Sequence, residues 1–148
     1  MYIDLTELSE PQVYFTMTQT IIPRPIAWVL SENENGSLNL APFSYFNAIC
    51  SDPPLVMISV GKKPDGSNKD TLVNIEDRSD FVIHIVSRRL IDHMNQSSAT
   101  LPAGESELEI TGLSTDRMPG CRLPRLADAP IAFACERYEI HKIGSVPQ

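Results

Sequence analysis

The residues of this 148-residue chain that could do chemistry fall into two short stretches. The first, at 38–47, mixes hydrogen-bonding side chains with aromatic rings, and that mixture suits a flat heteroaromatic ligand with a polar edge. Its polar members are Asn39, Ser44 and Asn47, and its aromatic members are Phe43, Tyr45 and Phe46. The same stretch could instead be a plain hairpin strand whose polar side chains cap turns.

The second stretch is Lys69-Asp70-Thr71, which precedes a short helix predicted over 72–75 with Asp70 as its N-cap. A helix N-terminus presents unpaired N–H groups and a positive partial charge. Lys69 just before the helix and the Thr71 hydroxyl just inside it would complete a phosphate pocket, with Asp70 turned away to cap the helix or pair with a base. The alternative is a capped helix with an exposed lysine.

Charge and hydropathy exclude several other classes of function. The formal net charge of −7 argues against a general binder of nucleic acid or anionic membranes, although one phosphate needs only a local cluster of donors. No run approaches the ~18 consecutive apolar residues of a membrane span. The N-terminus lacks the pattern of a secretory signal, so cytoplasmic residence is expected. The length predicts one domain over 1–148.

Other catalytic patterns are missing from the sequence. Cys50, Cys121 and Cys135 lie far apart and match no metal-ligand spacing; Cys50 and Cys135 are expected in the core, and Cys121 follows a loop. The chain shows no Ser/His/Asp order, no P-loop and no Gly-x-Gly-x-x-Gly fingerprint. We therefore expect residues that position a cofactor, and neither a catalytic side chain nor a metal site.

The elements that must position these residues are mostly short strands. Periodicity predicts strands at 26–31, 55–60, 81–86 and 131–140, and a strand-like pattern at 13–20 follows a helix start at Ser9. A turn at 32–37 carries Asn35-Gly36, and a short amphipathic helix is predicted over 88–96. We expect Trp28 and His84 in the core and His93 facing solvent. The pattern favours a mostly β fold, an antiparallel barrel with short helices.

Several motifs, in order along nearly the whole chain, resemble the flavin reductase-like family. They are Pro-Arg-Pro-Ile-Ala-Trp-Val at 23–29, Asn-Leu-Ala-Pro-Phe-Ser-Tyr-Phe-Asn at 39–47, Asp-Pro-Pro at 52–54, Lys-Asp-Thr at 69–71, Met-Asn-Gln-Ser-Ser at 94–98 and Leu-Pro-Arg-Leu-Ala-Asp-Ala-Pro at 123–130. The resemblance implies an FMN-binding split barrel that works as a homodimer, with the cofactor at the dimer interface. Family members continue with further strands, so the barrel of this chain is expected to lack its C-terminal strands.

The resemblance also implies an activity: an NAD(P)H:flavin oxidoreductase of the flavin reductase type, with NADH or NADPH delivering hydride to bound flavin. Two alternatives stay open. One is a flavoredoxin-like electron-transfer protein that holds FMN without binding a nicotinamide and serves a protein electron partner. The other is a non-catalytic flavin-binding protein.

Site residues follow from the same resemblance. Side chains that line the flavin are expected from Asn39, Ser44, Tyr45, Phe46 and Asn47, and backbone groups from Val29, Leu30 and Ser31. Lys69, Asp70 and Thr71 belong to the phosphate end. Arg24 is expected to serve either the phosphate or a structural ion pair. The 97–109 loop resembles a lid-like segment near the flavin.

Overall fold

Short antiparallel strands make up most of the regular structure in the computed structural model, which describes residues 2–144. The strands are β1 (Ala27–Glu32), β2 (Leu38–Phe43), β3 (Phe46–Ser51), β4 (Pro54–Ile58), β5 (Asp80–Ile85), β6 (Thr115–Asp116), β7 (Arg125–Leu126) and β8 (Ile131–Glu136). The helices are α1 (Glu10–Thr20), α2 (Asp70–Arg78), α3 (Ile91–Gln96) and α4 (Glu107–Thr111), with 3₁₀ turns at Leu5–Glu7 and Arg88–Leu90. The predicted mostly β class with short helices is confirmed.

The main sheet has four antiparallel strands in the order β2-β1-β5-β8, and β3–β4 and β6–β7 form separate two-stranded pairs. Strand β1 lies inside the sheet, so Val29 faces Ala41 of β2 on one side and Ile83 of β5 on the other. A five-residue turn, 33–37, contains Asn35 and Gly36 and joins β1 to β2, and Gly36 has the positive φ of +83° that the sequence predicted for this turn.

Each face of the main sheet has its own apolar core, because successive side chains of a strand point to opposite sides. Trp28 and Leu30 pack with Met94 of α3 and with Leu123 and Leu126 on one face. On the other face, Ile75 of α2 packs against side chains of β1, β2 and β5 and forms a second cluster with them. Its members are Ala27, Val29, Phe43, Ile75, Phe81 and Ile83. Trp28 has no exposed surface, which confirms its expected core role.

The strand predicted at 13–20 is wrong, since these residues belong to helix α1. The predicted start at Ser9 is right: Gln12 Oε1 accepts from the Ser9 amide at 2.9 Å, and a proline occupies the first turn. The threonines that suggested a strand donate instead to carbonyls of the preceding turn, as Thr16 Oγ1 does to Gln12 O at 2.8 Å. The start signal prevails over β propensity here.

The structure also differs from the sequence predictions in the bounds of two strands and in the exposure of two side chains. The strand predicted over 131–140 ends at Glu136, and the one over 55–60 runs from Pro54 to Ile58. Cys50 was expected in the core but is exposed on β3, and His93 is half-buried where a solvent-facing side chain was expected. Within residues 2–144, no helix has the length and hydropathy that crossing a membrane requires.

His84 of β5 is a buried structural residue, as the sequence predicted, with both ring nitrogens engaged. The Leu126 amide donates to Nε2 at 2.9 Å, and Nδ1 lies 3.1 Å from the carbonyl oxygen of Trp28. Because an amide N–H can only donate, Nε2 is unprotonated and Nδ1–H donates to the carbonyl, so the ring is neutral. Burial lowers the pKa of His84 from 6.5 to about 4, and the positive charge of Arg125 contributes.

This burial predicts a loss of stability in mild acid. Between pH 6.5 and about 4 the unfolded chain binds a proton at His84 that the folded protein does not, so the free energy of unfolding falls as the pH falls through this window. The full difference is roughly 3 kcal/mol. Urea unfolding at a series of pH values should show this slope; His84→Gln should flatten it and His141→Gln, at an exposed histidine, should keep it. Equal slopes in both variants would contradict the assignment.

Candidate functional site

A small cleft of about 110 Å³ lies between the edge strand β2, the N-terminus of α2 and residues 97–107. Asn39 lies on its β2 side, and Lys69, Asp70 and Thr71 lie on its α2 side. Its remaining wall is formed by Lys63, Glu107 and the segment 97–101. Four residues that the sequence assigned to one site therefore lie together, although 30 residues separate Asn39 from Lys69 in the chain.

The N-terminus of α2 differs by one residue from the prediction. Lys69 is the N-cap and Asp70 is the first helical residue, so Asp70 as the cap is wrong. The amides of Leu72 and Val73 both donate to the Lys69 carbonyl, at 2.9 and 3.2 Å. The N–H groups of Asp70 and Thr71 precede this first intrahelical bond and are the donors that such a helix end can offer to an anion.

Asp70 pairs with a base, which is one of the two roles that the sequence left open for it. Its Oδ1 lies 2.8 Å from Nζ of Lys63, a residue of the polar loop at 61–68 that the sequence analysis did not assign to the site. Lys69 Nζ lies 5.5 Å from the centre of the Phe43 ring, a cation–π contact that holds this ammonium group beside β2. The cleft thus combines two lysines with the carboxylates of Asp70 and Glu107.

The hydroxyl of Thr71 is oriented by Asn39. Both side chains are buried, and Asn39 Nδ2 donates to Thr71 Oγ1 at 2.9 Å. Because the amide can only donate, Thr71 Oγ1 accepts this bond and keeps its own hydrogen for another acceptor. A hydroxyl held in this way at a helix N-terminus is suited to donate to an anionic ligand in the cleft.

A buried polar network supports this pair from behind. Ser31 Oγ of β1 accepts from Asn39 at 3.3 Å and from Asn74 of α2 at 3.1 Å, and Asn74 Nδ2 also donates to Asn33 Oδ1 at 2.8 Å. Ser31 was predicted to contribute its backbone, whereas here its side chain connects β1, β2 and α2. Asn74 and Asn33 were not assigned to the site, because their partners lie more than 40 residues away.

Glu107 is a carboxylate that the sequence placed in an acidic loop, yet only 5% of its surface is exposed. Its Oε2 accepts from the Leu40 amide at 2.8 Å. Burial raises the pKa of Glu107 above its usual range and the nearby charge of Asp70 adds to this, while the Leu40 hydrogen bond and Lys63 oppose it. The cleft therefore contains one carboxylate whose charge is costly to maintain.

A second group of predicted residues lies around Tyr45. Arg24 Nη1 donates to the carbonyls of Thr18 (2.7 Å) and Ile21 at the end of α1, and the guanidinium carbon lies 6.0 Å from the Tyr45 ring centre. The ring of Tyr14 lies 6.2 Å from that of Tyr45, and both rings line a groove of about 240 Å³ along α1. Among residues 2–144 Arg24 forms no ion pair, so its structural role is to cap a helix end.

The remaining predicted residues occupy other positions. Val29 and Leu30 are fully buried, and β2 and β5 pair with both sides of their strand, so their backbone groups are used by the sheet. Phe46 packs against the second core cluster, and Ser44 is half-buried where β2 leads into β3. Asn47 is exposed on β3.

Comparison with known proteins gives a consistent assignment of the fold. Residues 17–146 match the profile of the flavin reductase like domain. The chain is similar to nitrilotriacetate monooxygenase component B from Bacillus cereus, with 34% identity, a TM-score of 0.90 and coverage of 99% of this chain and 74% of the other. It is similar to 2-nitrobenzoate 2-nitroreductase from Pseudomonas fluorescens, with 36% identity, a TM-score of 0.89 and coverage of 99% and 70%.

A more distant likeness concerns the fold alone. A split barrel domain from Shewanella frigidimarina matches 97% of this chain and 71% of its own with a TM-score of 0.81 at 18% identity. The predicted split-barrel architecture is confirmed by these neighbours. The chain spans 65% to 69% of the length of four curated relatives that are 35–38% identical to it, and 56% of a more distant one.

The buried network predicts that Asn74 stabilises the protein without touching the cleft. Asn74→Ala removes the donor to the buried Asn33 Oδ1, which is left unpaired at a cost of roughly 1–3 kcal/mol, and leaves Ser31 Oγ only its bond from Asn39. Asn47→Ala, at an exposed position, should change the free energy of unfolding by less than about 0.5 kcal/mol. Urea unfolding of both variants measures the difference, and equal midpoints would show that the network contributes nothing.

Proposed function

The chain belongs to the family of flavin reductase-like domains, and from that premise we propose that it is an oxidoreductase that binds FMN and takes its reducing equivalents from NADH or NADPH. The observation that carries the proposal is the donor set at the N-terminus of α2. Two free amides, the oriented hydroxyl of Thr71 and the ammonium of Lys69 face one cleft, next to Lys63.

This donor set fits a phosphate monoester. A dianion requires several hydrogen-bond donors and local positive charge, and a helix N-terminus with a lysine supplies both even in an acidic protein. The cleft volume of about 110 Å³ admits a phosphate and not a whole flavin, so this cleft is proposed as the phosphate end only. Lys69 and Thr71 would hold the phosphate, while Asp70 stays paired with Lys63.

The ring end is proposed along the stretch that continues from β2. Lys69 contacts Phe43, and the residues after Phe43 are Ser44, Tyr45 and Phe46, so the chain itself leads from the phosphate end to the second group of predicted residues. Asn47 and the Tyr45 ring would orient the flat part of the cofactor. Arg24 would act there indirectly, by holding the end of α1 against Tyr45.

Bound flavin supplies the hydride and electron chemistry itself, so the contribution of the chain is binding, orientation and electrostatics. This agrees with the sequence, in which no catalytic nucleophile or acid–base pair was found. The names of the similar proteins, a nitroreductase and a monooxygenase component, are consistent with a reductase that passes electrons onward.

We also propose that the protein works as a homodimer. Large apolar side chains are exposed on β8 and on the β3–β4 pair, with Phe133 at 46% and Met57 at 52%. Exposed apolar surface of this kind marks an interaction site. Light scattering on the purified protein should give twice the mass of 16.5 kDa. A monomer at micromolar concentration would contradict the dimer without bearing on flavin binding.

The first experiment is a visible absorption spectrum of the protein after incubation with FMN and desalting, followed by anaerobic addition of NADH and then NADPH. Retained flavin bands that bleach with a nicotinamide support the proposal. Retained bands that do not bleach favour the electron-transfer alternative. Failure to bind either FMN or riboflavin in titrations would overturn the proposal.

The phosphate assignment predicts the behaviour of the double variant Lys69→Ala/Thr71→Ala. Each lost charge-assisted hydrogen bond weakens FMN binding by roughly 1.5–3 kcal/mol. Riboflavin lacks the phosphate, so its affinity should not change, and a normal thermal midpoint would show that the domain still folds. Lys62→Ala is the matched control, because Lys62 is a neighbouring lysine that bonds to Asn68 away from the cleft. Unchanged FMN affinity in the double variant would exclude this phosphate site.

A further inference from the structure

The outer edge of β2 is covered by a short segment, residues 104–107, which we term the strap. The carbonyl oxygen of Gly104 accepts from Asn35 Nδ2 at 3.0 Å and from Ser37 Oγ at 2.7 Å. Ser106 Oγ donates to the Leu38 carbonyl, and Glu107 Oε2 accepts from the Leu40 amide at 2.8 Å. The strap is therefore bonded to four residues of the β1–β2 hairpin, two in the turn and two on β2.

Two of these contacts occupy outward-facing backbone groups of the edge strand β2, the Leu38 carbonyl and the Leu40 amide. In an antiparallel strand, alternate residues direct their N–H and C=O groups to the same side, so Leu38, Leu40 and Pro42 face away from β1. Ser106 and Glu107 engage the first two, and Pro42 has no N–H to satisfy. At Gly104, φ is +83° and a Cβ atom would lie 2.9 Å from Asn35 Nδ2, so a glycine is needed where the strap begins.

We propose that Glu107 is a positioning residue that fixes the strap on β2 and so sets both the wall and the charge of the cleft. The lining segment 97–101 is held on two sides: Trp28 Nε1 donates to Oγ of Ser97, its first residue, at 2.9 Å, and Glu107, six residues after the segment, bonds to Leu40. The part of this inference that concerns the cofactor rests on the proposed function, and the part that concerns the strap does not.

The charge of Glu107 opposes an anion in the cleft. Glu107 faces Asp70 on α2 and Lys63 on the 61–68 loop, and Lys69 lies in the same cleft. With both carboxylates ionised, the two lysines are balanced, whereas a protonated Glu107 leaves one net positive charge for the phosphate. Burial raises the pKa of Glu107 and favours that protonated form. Binding of a phosphate dianion should therefore be accompanied by proton uptake at Glu107.

Two variants separate the hydrogen bond from the charge. Glu107→Gln keeps an oxygen that can accept from the Leu40 amide and removes the charge, whereas Glu107→Ala removes both. Glu109→Gln, an exposed glutamate on the same helix, is the matched control for the loss of one charge. Thermal midpoints of all three report whether each variant folds.

Hydrogen exchange of the protein without flavin tests the strap. In Glu107→Ala the amides of Leu40 and of residues 97–106 should exchange roughly two- to tenfold faster, the range expected for one net hydrogen bond. Glu107→Gln and Glu109→Gln should match the wild type. Equal exchange in all proteins, or equal loss of protection in Glu107→Gln and Glu107→Ala, would overturn the positioning role.

The pH profile of unfolding tests the buried charge, again without flavin. The folded protein holds a proton at Glu107 at pH values above 4.5 where the unfolded chain has released it, so this group makes stability fall as the pH rises from 4.5 through the raised pKa. Glu107→Gln should remove this contribution to the slope, and Glu109→Gln should keep it. If Glu107→Gln kept the wild-type slope, Glu107 would not titrate with a raised pKa in the folded protein. A side chain that only fills space would give that result.

FMN and riboflavin titrations then connect the strap to the cofactor. Above the raised pKa, Glu107→Gln should bind FMN roughly three- to tenfold more tightly than the wild type, the size of one screened charge interaction. In acid the FMN affinities of the two proteins should become equal. Because the phosphate of FMN titrates in the same way with both proteins, the ratio of the two affinities does not depend on that titration. Glu107→Ala should bind FMN more weakly, and riboflavin should not discriminate the wild type from Glu107→Gln. If Glu107→Gln and the wild type bound FMN equally at every pH, the proposed effect of the Glu107 charge would be wrong. If neither the wild type nor any variant bound FMN, the proposed function would be wrong, and hydrogen exchange alone would then test the positioning role of Glu107.

Discussion

A buried hydrogen bond from Asn39 on β2 to Thr71 on α2 joins the two sides of the cleft. The two elements approach the cleft from opposite sides, and each is fixed elsewhere: β2 by its ladder with β1, and α2 by the bonds of Asn74 to Ser31 and Asn33. A buried amide that loses its partner costs roughly 1–3 kcal/mol. Moving β2 away from α2 would break this bond, so the two elements stay together. The hydrogen-bond donors at the N-terminus of α2 therefore keep their distance from β2 before a ligand binds.

Most of the strands could be predicted from the sequence because their signals are local. The apolar run of β1, the Asn-Gly turn and the alternating pattern of β5 each lie within a few residues. Helix α1 shows where this fails. Its alternating threonines satisfy a strand pattern, and only the start signal at Ser9 and Gln12 decides for a helix. At α2 the predicted N-cap is wrong by one residue, since Lys69 and Asp70 are both compatible with the start of the helix, and the helix extends beyond the predicted 72–75 to Arg78.

The site was predictable where its residues are neighbours in the chain and not where they meet across it. Lys69 to Thr71 form one tripeptide whose chemistry can be read directly. Glu107 is 67 residues from the Leu40 amide that it accepts from, and Asn74 is 43 residues from the Ser31 hydroxyl that it donates to. No local pattern specifies such pairs. Val29 and Leu30 show the converse: they belong to the right motif, yet the sheet uses their backbone groups.

The covered edge of β2 limits how copies of this chain can associate. Growth of a filament by strand addition needs two open edges on every molecule, so that each copy can template the next. Along β2 one such edge is blocked by Ser106, Glu107 and Pro42, whereas β8 lies at the opposite edge of the described sheet with Ile131 and Phe133 exposed. The main sheet of the described residues therefore cannot be extended by strand addition at both of its edges.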